Sequence, residues 1–475
     1  MTRLLIALAL VAGLGAAAFG AWHVLAPSDS SSPSANLPPI PPDATEEEPV
    51  VATEEGLRIE APEPPAEWDV PEWAPQTAVP DEFEGSLAMA YQFAAPVFQR
   101  PRERPAVVGI VRRGTAIPVQ GRGFGPGCDR SWYEVEGGYV CSSEGFAVGP
   151  SPEERPQREP DLTSAMPYQY AMVSERGAAK LYRPPLMQEL EDIATGASPE
   201  TDPEVLALRM VGDYFVARDA IEEAPGGEWQ RTIRGHYVNR EALEDLPMPT
   251  MVGTELGPER TLPMAFVFGE ERPLFQIEGD ELTEAGVAEK YARFEVADEV
   301  TIDGRAFVVR ADGLAVERDQ VRVARRAEPD ERVESDTYIH VDLDEQVLVA
   351  YAEGEPVYAT LVSSGKEGYD TPRGVFRIDK KFLSVTMSGE DPHDGPYEVE
   401  EVPWTMYYWE SYALHGAYWH DDFGKVRSHG CTNLSPSDAR WIFEWSSPEL
   451  PSGWHGYNAR HGTWVQFTRQ SEGDA

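Results

Sequence analysis

The residues best suited to chemistry lie between positions 415 and 433: His415-Gly416, then Gly424-Lys425-Val426-Arg427, then Ser428-His429-Gly430-Cys431-Thr432-Asn433. Of three cysteines, Cys128 and Cys141 are 13 positions apart, and Cys431 stands alone. A cysteine nucleophile needs a base or cation in hydrogen-bond reach to lower its pKa and take its proton. His415, 16 positions before Cys431, and His429, two before it, are groups of that kind. Gly430 lets the backbone approach a carbonyl closely, and amide N–H groups there are candidates to face the oxyanion of a tetrahedral intermediate. A metal site is the competing use of these side chains. One thiol and irregularly spaced histidines, with no second cysteine or His-x-x-x-His pair, suit it poorly, so no metal is expected. The other alternative is a buried cysteine among core histidines. A glycine-flanked stretch between a strand and a capped helix favours exposed chemistry over packing.

The elements that must position these groups are mostly strands. TYIHVDL (337–343), QVLVAY (346–351) and PVYATLV (356–362) are β-rich runs, with Glu353-Gly354 as a hairpin turn. VPWTMYYW (402–409), SYALHGAYW (411–419) and TWVQF (463–467) follow. One helix is expected after Ser435 as N-cap, with Pro436 in its first turn and Asp438 three residues past the cap. Its apolar residues Ala439, Ile442 and Phe443 have helical spacing. A mainly β domain with one clear helix is therefore expected over 334–469. The acidic, Gly/Pro-punctuated segment 384–401 (SVTMSGEDPHDGPYEVEE) reads as a lid or as a solvated loop, with His393 exposed. Residues 326–335 read as a linker.

The string around Cys431 resembles the signature of the YkuD-type L,D-transpeptidase family: His-Gly, then Ser/Thr-His-Gly-Cys-x-Asn or -Arg. IHVDLDEQVLVAY (339–351) resembles that family's opening hairpin. LVSSGKEGYDTPRGVFRI (361–378) resembles its Ser-x-Gly-Lys…Thr-Pro-x-Gly-x-Phe block, and VPWTMYY (402–408) its Pro-Trp-x-Met strand. These landmarks stand in family order over 334–468. Thr432 occupies a position that is usually apolar, and Asn433 matches one of two branches. The resemblance implies that Cys431 attacks the diamino-acid carbonyl of a peptidoglycan tetrapeptide stem and expels D-Ala. An amine of a neighbouring stem then takes the acyl group. It further implies His415 as proton donor/acceptor, and Ser428 and His429 orienting that base and framing the oxyanion site beside Gly430. Gly416, Asn433, Tyr407 and Trp404 are implied as stem contacts, and no cofactor or metal is needed. The alternatives are an L,D-carboxypeptidase or wall-protein attachment on the same fold, and a non-catalytic wall-binding structural protein.

Upstream, one theme of short strands recurs three times, over 86–150, 160–248 and 260–328. Each copy resembles bacterial Src-homology-3-like modules, the first most closely. Such modules bind wall peptides or hold the catalytic domain at a distance. An oxidising compartment permits a Cys128–Cys141 disulfide; two buried free thiols are the alternative. Residues 27–85 are rich in Pro, Glu and Ser and read as a disordered linker. Residues 4–26 carry no charge and are long enough to span a bilayer, so 1–26 reads as a signal peptide or membrane anchor. Either reading implies export to the periplasm or cell envelope. The net charge of −42 argues against nucleic acid, whose binding requires basic residues. It is compatible with solubility, a high-salt habitat or a cationic partner. Oligomeric state is not readable from the sequence.

Overall fold

The computed structural model describes residues 86–149, 158–195, 204–391, 395–459 and 461–469. The expected signal or anchor segment, the 27–85 linker and His393 lie outside the described residues. Among those described, no helix is long and apolar enough to cross a membrane. Among the described residues the fold is mainly β, with two α-helices, Leu190–Thr195 and Pro436–Trp445.

The C-terminal unit packs two sheets around the second helix. The first runs Thr254–Glu255, Glu355–Leu361, Val347–Ala352, Tyr338–Asp342, Trp464–Thr468, Gly374–Arg377 in spatial order. The second joins Lys380–Asp391, Gly395–Trp409, Tyr412–Gly416 and Thr432–Leu434, with Gly456–Asn458 on its edge. Between them lie Ile339, Val341 and Leu348 from one sheet, Trp404, Met406 and Leu414 from the other, and Ile442 and Phe443 of the helix. The run VLVAY lacks a polar face because its sheet is covered on both sides: Val347, Val349 and Tyr351 enter a second core. Ser435 caps the helix as its sequence indicates, accepting the Asp438 N–H at 3.2 Å. The Asp438 carboxylate is buried and accepts from Gly253 N, the Tyr358 hydroxyl and the Thr360 hydroxyl.

The three upstream units each contribute seven described strands, and their pairing schemes are identical. In each, the first strand pairs with the fourth and seventh, the second with the third and sixth, and the fifth with the fourth and sixth. The third unit's hairpin of Arg272–Glu278 and Glu281–Ala288 is absent from the sequence reading; its second strand is mostly exposed, so its ELTEAGVA sequence carries no alternation of apolar and polar residues.

Each upstream unit shares a core with the C-terminal unit. Trp454 sits in the first unit's core, where Gly109 leaves room for it: a Cβ there would lie 2.3 Å from the indole. Tyr170 and Phe215 of the second unit pack with Val399, Val402 and Tyr418. Met264, Phe266 and Phe268 of the third pack with Tyr338, Val349 and Phe423. Even the 326–335 stretch is docked, with Ala327 N–H donating to the Tyr351 hydroxyl and Asp330 N–H to Gln466.

The segment 384–401 corrects the loop reading. It lies mostly within a long hairpin of Lys380–Asp391 and Gly395–Trp409. Glu400 and Glu401, which look solvated in the sequence, are fully buried.

Candidate active site

The strand Tyr412–Gly416 holds the site. It pairs antiparallel with the end of Gly395–Trp409, Tyr407 facing Ala413, and parallel with Thr432–Leu434, His415 facing Asn433. Leu414 and Met406 belong to the core. Strand alternation therefore puts Tyr407, Ala413 and His415 on the opposite face. Asn433 shares that face as the register partner of His415, and Cys431, two residues earlier, enters on it as well. The Glu410-Ser411 turn closes the hairpin, with Glu410 at φ 46°. The Ser411 carbonyl accepts from the Cys431 thiol at 3.6 Å.

The Ser-His-Gly-Cys segment is held by residues 363–371. Ser363 and Asn433 exchange backbone hydrogen bonds at 2.9 Å, the Ser364 carbonyl accepts from Arg427 and Ser428, and Lys366 N–H donates to the Ser428 carbonyl. The Thr371 hydroxyl donates to the Gly430 carbonyl at 2.7 Å and accepts from Gly365 N–H. Gly365 is required here, because a Cβ would lie 1.8 Å from the Tyr369 carbonyl. Gly430 is required twice over, by φ 115° and by Tyr412, whose ring a Cβ would meet at 2.7 Å.

Ser428 sits at the turn before the thiol. Its hydroxyl donates to the Cys431 carbonyl at 2.5 Å and accepts the Gly430 N–H at 3.0 Å. It shapes the turn that carries the thiol, and the Gly430 N–H is already engaged.

Both central groups are electrically neutral at rest. Cys431 is partly exposed as a residue, yet enclosure of its sulfur pushes the thiol up to about 11, against a smaller opposing effect of the Ala413 amide. His415 is buried, and burial lowers it to about 4, partly countered by the Gly416 backbone. Its Nδ1 has no hydrogen-bond partner. A neutral imidazole has one ring nitrogen that can accept a proton. Trp419 stacks on it at 5.6 Å.

The remaining sequence candidates divide. His429 is exposed, stacked on Tyr397 at 5.2 Å and edge-on to Tyr369 at 4.8 Å. Tyr407 lies close enough to Cys431 for the thiolate charge to add to burial in raising its pKa. Asn433 is buried with its side-chain amide 3.0 Å from His420 Nε2. Trp404 is buried against Phe443 and donates to the Ala165 carbonyl at 2.7 Å, a packing position. Gly416 is packed between Pro403 and Pro436. Tyr397, Trp419, His420, Ser411 and Thr371 complete the surroundings. Sequence gave no sign of the first four; Thr371 lay inside the recognised Thr-Pro block. Cys128 and Cys141 form a disulfide. Among the described residues no cluster of three metal-binding side chains occurs.

Comparison with known proteins places a family match on this part of the chain. The family model for the YkuD L,D-transpeptidase catalytic domain matches residues 336–466. L,D-transpeptidase 2 of Mycobacterium tuberculosis is 27% identical over 110 residues, 22% of this chain and 27% of that protein. The chain thus spans about a quarter of the curated relative it matches. The solution structure of the Enterococcus faecium L,D-transpeptidase catalytic domain is 30% identical and covers 28% of this chain and 97% of its own, with a TM-score of 0.23. A Stackebrandtia nassauensis L,D-transpeptidase is 24% identical over 30% of this chain and 58% of its own, with a TM-score of 0.21. Residues 336–466 therefore belong to the YkuD family of L,D-transpeptidase catalytic domains.

Proposed function

We propose that the chain is an exported peptidoglycan L,D-transpeptidase with Cys431 as nucleophile and His415 as base. The carrying observation is an unpaired thiol on the same sheet face as a buried, neutral histidine whose Nδ1 is unengaged. As Sγ attacks the stem carbonyl, the thiol proton passes to His415. The C–N bond to D-Ala then breaks, and the imidazolium returns the proton to the departing amine. A thioester remains. An amine of a second stem attacks it, His415 takes the amine proton, and the sulfur leaves as the reprotonated thiol. General-base transfer of this kind supplies about 10²–10⁴-fold in rate. Neither step calls for a metal or nucleotide, because the donor stem carries its own bond energy. The stem lies on the open side of Cys431, between the Tyr369–His429–Tyr397 wall and the Trp409–Tyr412 edge, whose rings stack at 5.4 Å.

The test is the full chain incubated with a disaccharide tetrapeptide and read by mass spectrometry beside Cys431→Ala. Loss of D-Ala with formation of a stem dimer, absent in the variant, is the expected result. Loss of D-Ala without dimer would assign water as acceptor. An inert wild type, with and without added acceptor, would overturn the reading.

A further inference from the structure

The strand Gly395–Trp409 bends away from its own sheet. Glu401 and Trp404 sit at φ 50° and 55°, and pairing with Lys380–Asp391 slips between Val385 and Met387. Left-handed backbone is costly for residues that carry a Cβ and persists only when neighbours enforce it. Glu401 has such neighbours: Arg112 at 2.8 Å, the Ser384 hydroxyl at 2.5 Å, and the Tyr170 hydroxyl on its carbonyl at 2.8 Å. Beyond the bend the strand runs parallel to Tyr214–Ala224 of the second unit, Tyr214 facing Glu398 and Phe215 facing Val399.

Lys180, also in the second unit, is buried, and its ammonium pairs with Glu398 and, at 2.5 Å, with Glu400. Glu400 further accepts the Ala217 N–H at 3.0 Å. A buried charge is costly unless it is well paired. Both partners of this ammonium belong to the catalytic hairpin and none to its own unit. Burial lowers the Lys180 pKa, but Glu400 and Glu398 more than offset it, so the amine stays charged.

The clamp leads to the base by contact. The Glu400 carbonyl accepts the Tyr418 hydroxyl at 2.7 Å, and Tyr418 stacks on Tyr170 at 3.8 Å. Phe215 touches both Tyr418 and Trp419, with ring centres 6.2 and 6.3 Å away, and Trp419 stacks on His415. The same hairpin carries Tyr397 to His429. We propose that Lys180 is a positioning residue for the proposed acyl transfer, fixing the Glu398–Glu400 strand and through Tyr418, Phe215 and Trp419 the ring of His415. The inference rests on the transpeptidase reading for its effect on rate, but not for its effect on the histidine.

The experiment compares the full chain with Lys180→Met and with Lys180→Met/Glu400→Gln. The double variant removes the orphaned buried carboxylate, while Glu398, with 20% of its side chain exposed, can hydrate. Turnover is expressed per thiol titratable at Cys431, and the His415 titration is followed by NMR beside the neighbouring ring of His420. Lys180→Met is expected to lower kcat about tenfold with KM within about twofold. The His415 midpoint should rise from about 4 towards the ordinary 6.5, and the double variant should restore most of both. An unchanged kcat and midpoint in a folded Lys180→Met protein would overturn the proposal. If that variant does not fold, Phe215→Ala breaks the last link without burying a charge; the same kcat loss and midpoint rise are expected, and unchanged values would overturn it. A wild type that turns over no stem would refute the reaction, while the His415 midpoint would still decide the clamp.

Discussion

The second and third upstream units repeat one pairing scheme strand for strand, yet differ in whether they bury a charge against the catalytic unit. The third buries Met264, Phe266, Phe268 and Tyr291 against Tyr338, Val347, Val349 and Tyr351 on the far side of the sheet from the helix, with the ion pairs Lys290–Asp421 and Arg318–Glu345 only at its partly exposed rim. The second presents Lys180 and a parallel strand to the hairpin beside the thiol. A fold copied three times thus acquires different roles from the face it turns inward. The apolar face adds stability. The charged face adds stability only while every partner is present, and it fixes geometry near a reacting group. Deleting the base sets the ceiling on what loss of positioning can cost. His415→Ala in the full chain is expected to lower kcat by about 10²–10⁴-fold, leaving Cys431 alkylatable. A loss below about tenfold would mean that another group moves the proton.

Phe266→Ala attacks the apolar junction instead. A fully buried phenylalanine truncated to alanine costs about 3–5 kcal/mol. The expected outcome is a lower midpoint in denaturant with turnover per titrated thiol unchanged at a temperature where the protein remains folded. A fall in turnover comparable to that of Lys180→Met would erase the distinction between the two junctions.

The same contrast explains what the sequence disclosed. Apolar alternation, the Ser435 cap and the chemistry-bearing strand around His415 were legible, because burial on one or both faces leaves a periodic record. Strands of all three upstream units were visible as well, except in the third, where the strand Glu281–Ala288 is mostly exposed and keeps no periodic pattern. The outer half of the long hairpin was not legible. Glu398, Glu400 and Glu401 look like solvated loop residues, and their partners Lys180 and Arg112 lie 218 and 289 positions away in the chain. No local pattern encodes a charge satisfied at that distance. The contacts of Ser428 were illegible for a related reason: its residue type suits orienting the base or framing the oxyanion site, and only the turn geometry shows its hydroxyl bridging Gly430 and Cys431.

The protonation states sharpen the comparison from within the site. A neutral thiol near 11 and a neutral imidazole near 4 require the proton to move as the sulfur attacks. The expected kcat/KM profile has its acid limb near pH 4 and is flat from about 5 to 9. Alkylation of Cys431 by iodoacetamide should rise about tenfold per pH unit from neutrality upwards, following the thiolate fraction. A plateau of alkylation below pH 7 would indicate a preformed thiolate–imidazolium pair instead. Stability should carry the same signature. His340 and His415 are buried and lowered to about 4, and His455 lies further below. Between pH 6.5 and 4 the unfolded chain binds protons that the folded chain refuses, so stability is lost as pH falls through that window. The loss is roughly 1.4 kcal/mol per pH unit for each such histidine. Relief of repulsion among the many carboxylates acts in the opposite direction, so the histidine contribution is read as the fall in proton uptake on unfolding at pH 5, measured by calorimetry in buffers of different ionisation enthalpy, when His340 is replaced by Gln.

The smallest effect on turnover is expected from the first unit's disulfide. Cys141 lies in that unit's sixth strand, and the corresponding strands of the other two, Tyr237–Asn239 and Leu314–Glu317, carry no cysteine. Closing a loop of this size restricts the unfolded chain by about 3 kcal/mol. Reduction should therefore lower the first unit's unfolding midpoint and leave those of its two counterparts in place, as read by hydrogen exchange along the three matched sixth strands. The site itself should respond only through Arg112, which sits in the first unit's third strand and holds Glu401. Since Trp454 and the pairing of Gly109 and Ile110 with Tyr457 and Gly456 secure that strand independently of the disulfide, turnover per titrated Cys431 should change less than about twofold. A larger fall on reduction would make the first unit a second clamp on the hairpin, equal in rank to Lys180, and the division between charged and apolar junctions would have to be redrawn around Glu401.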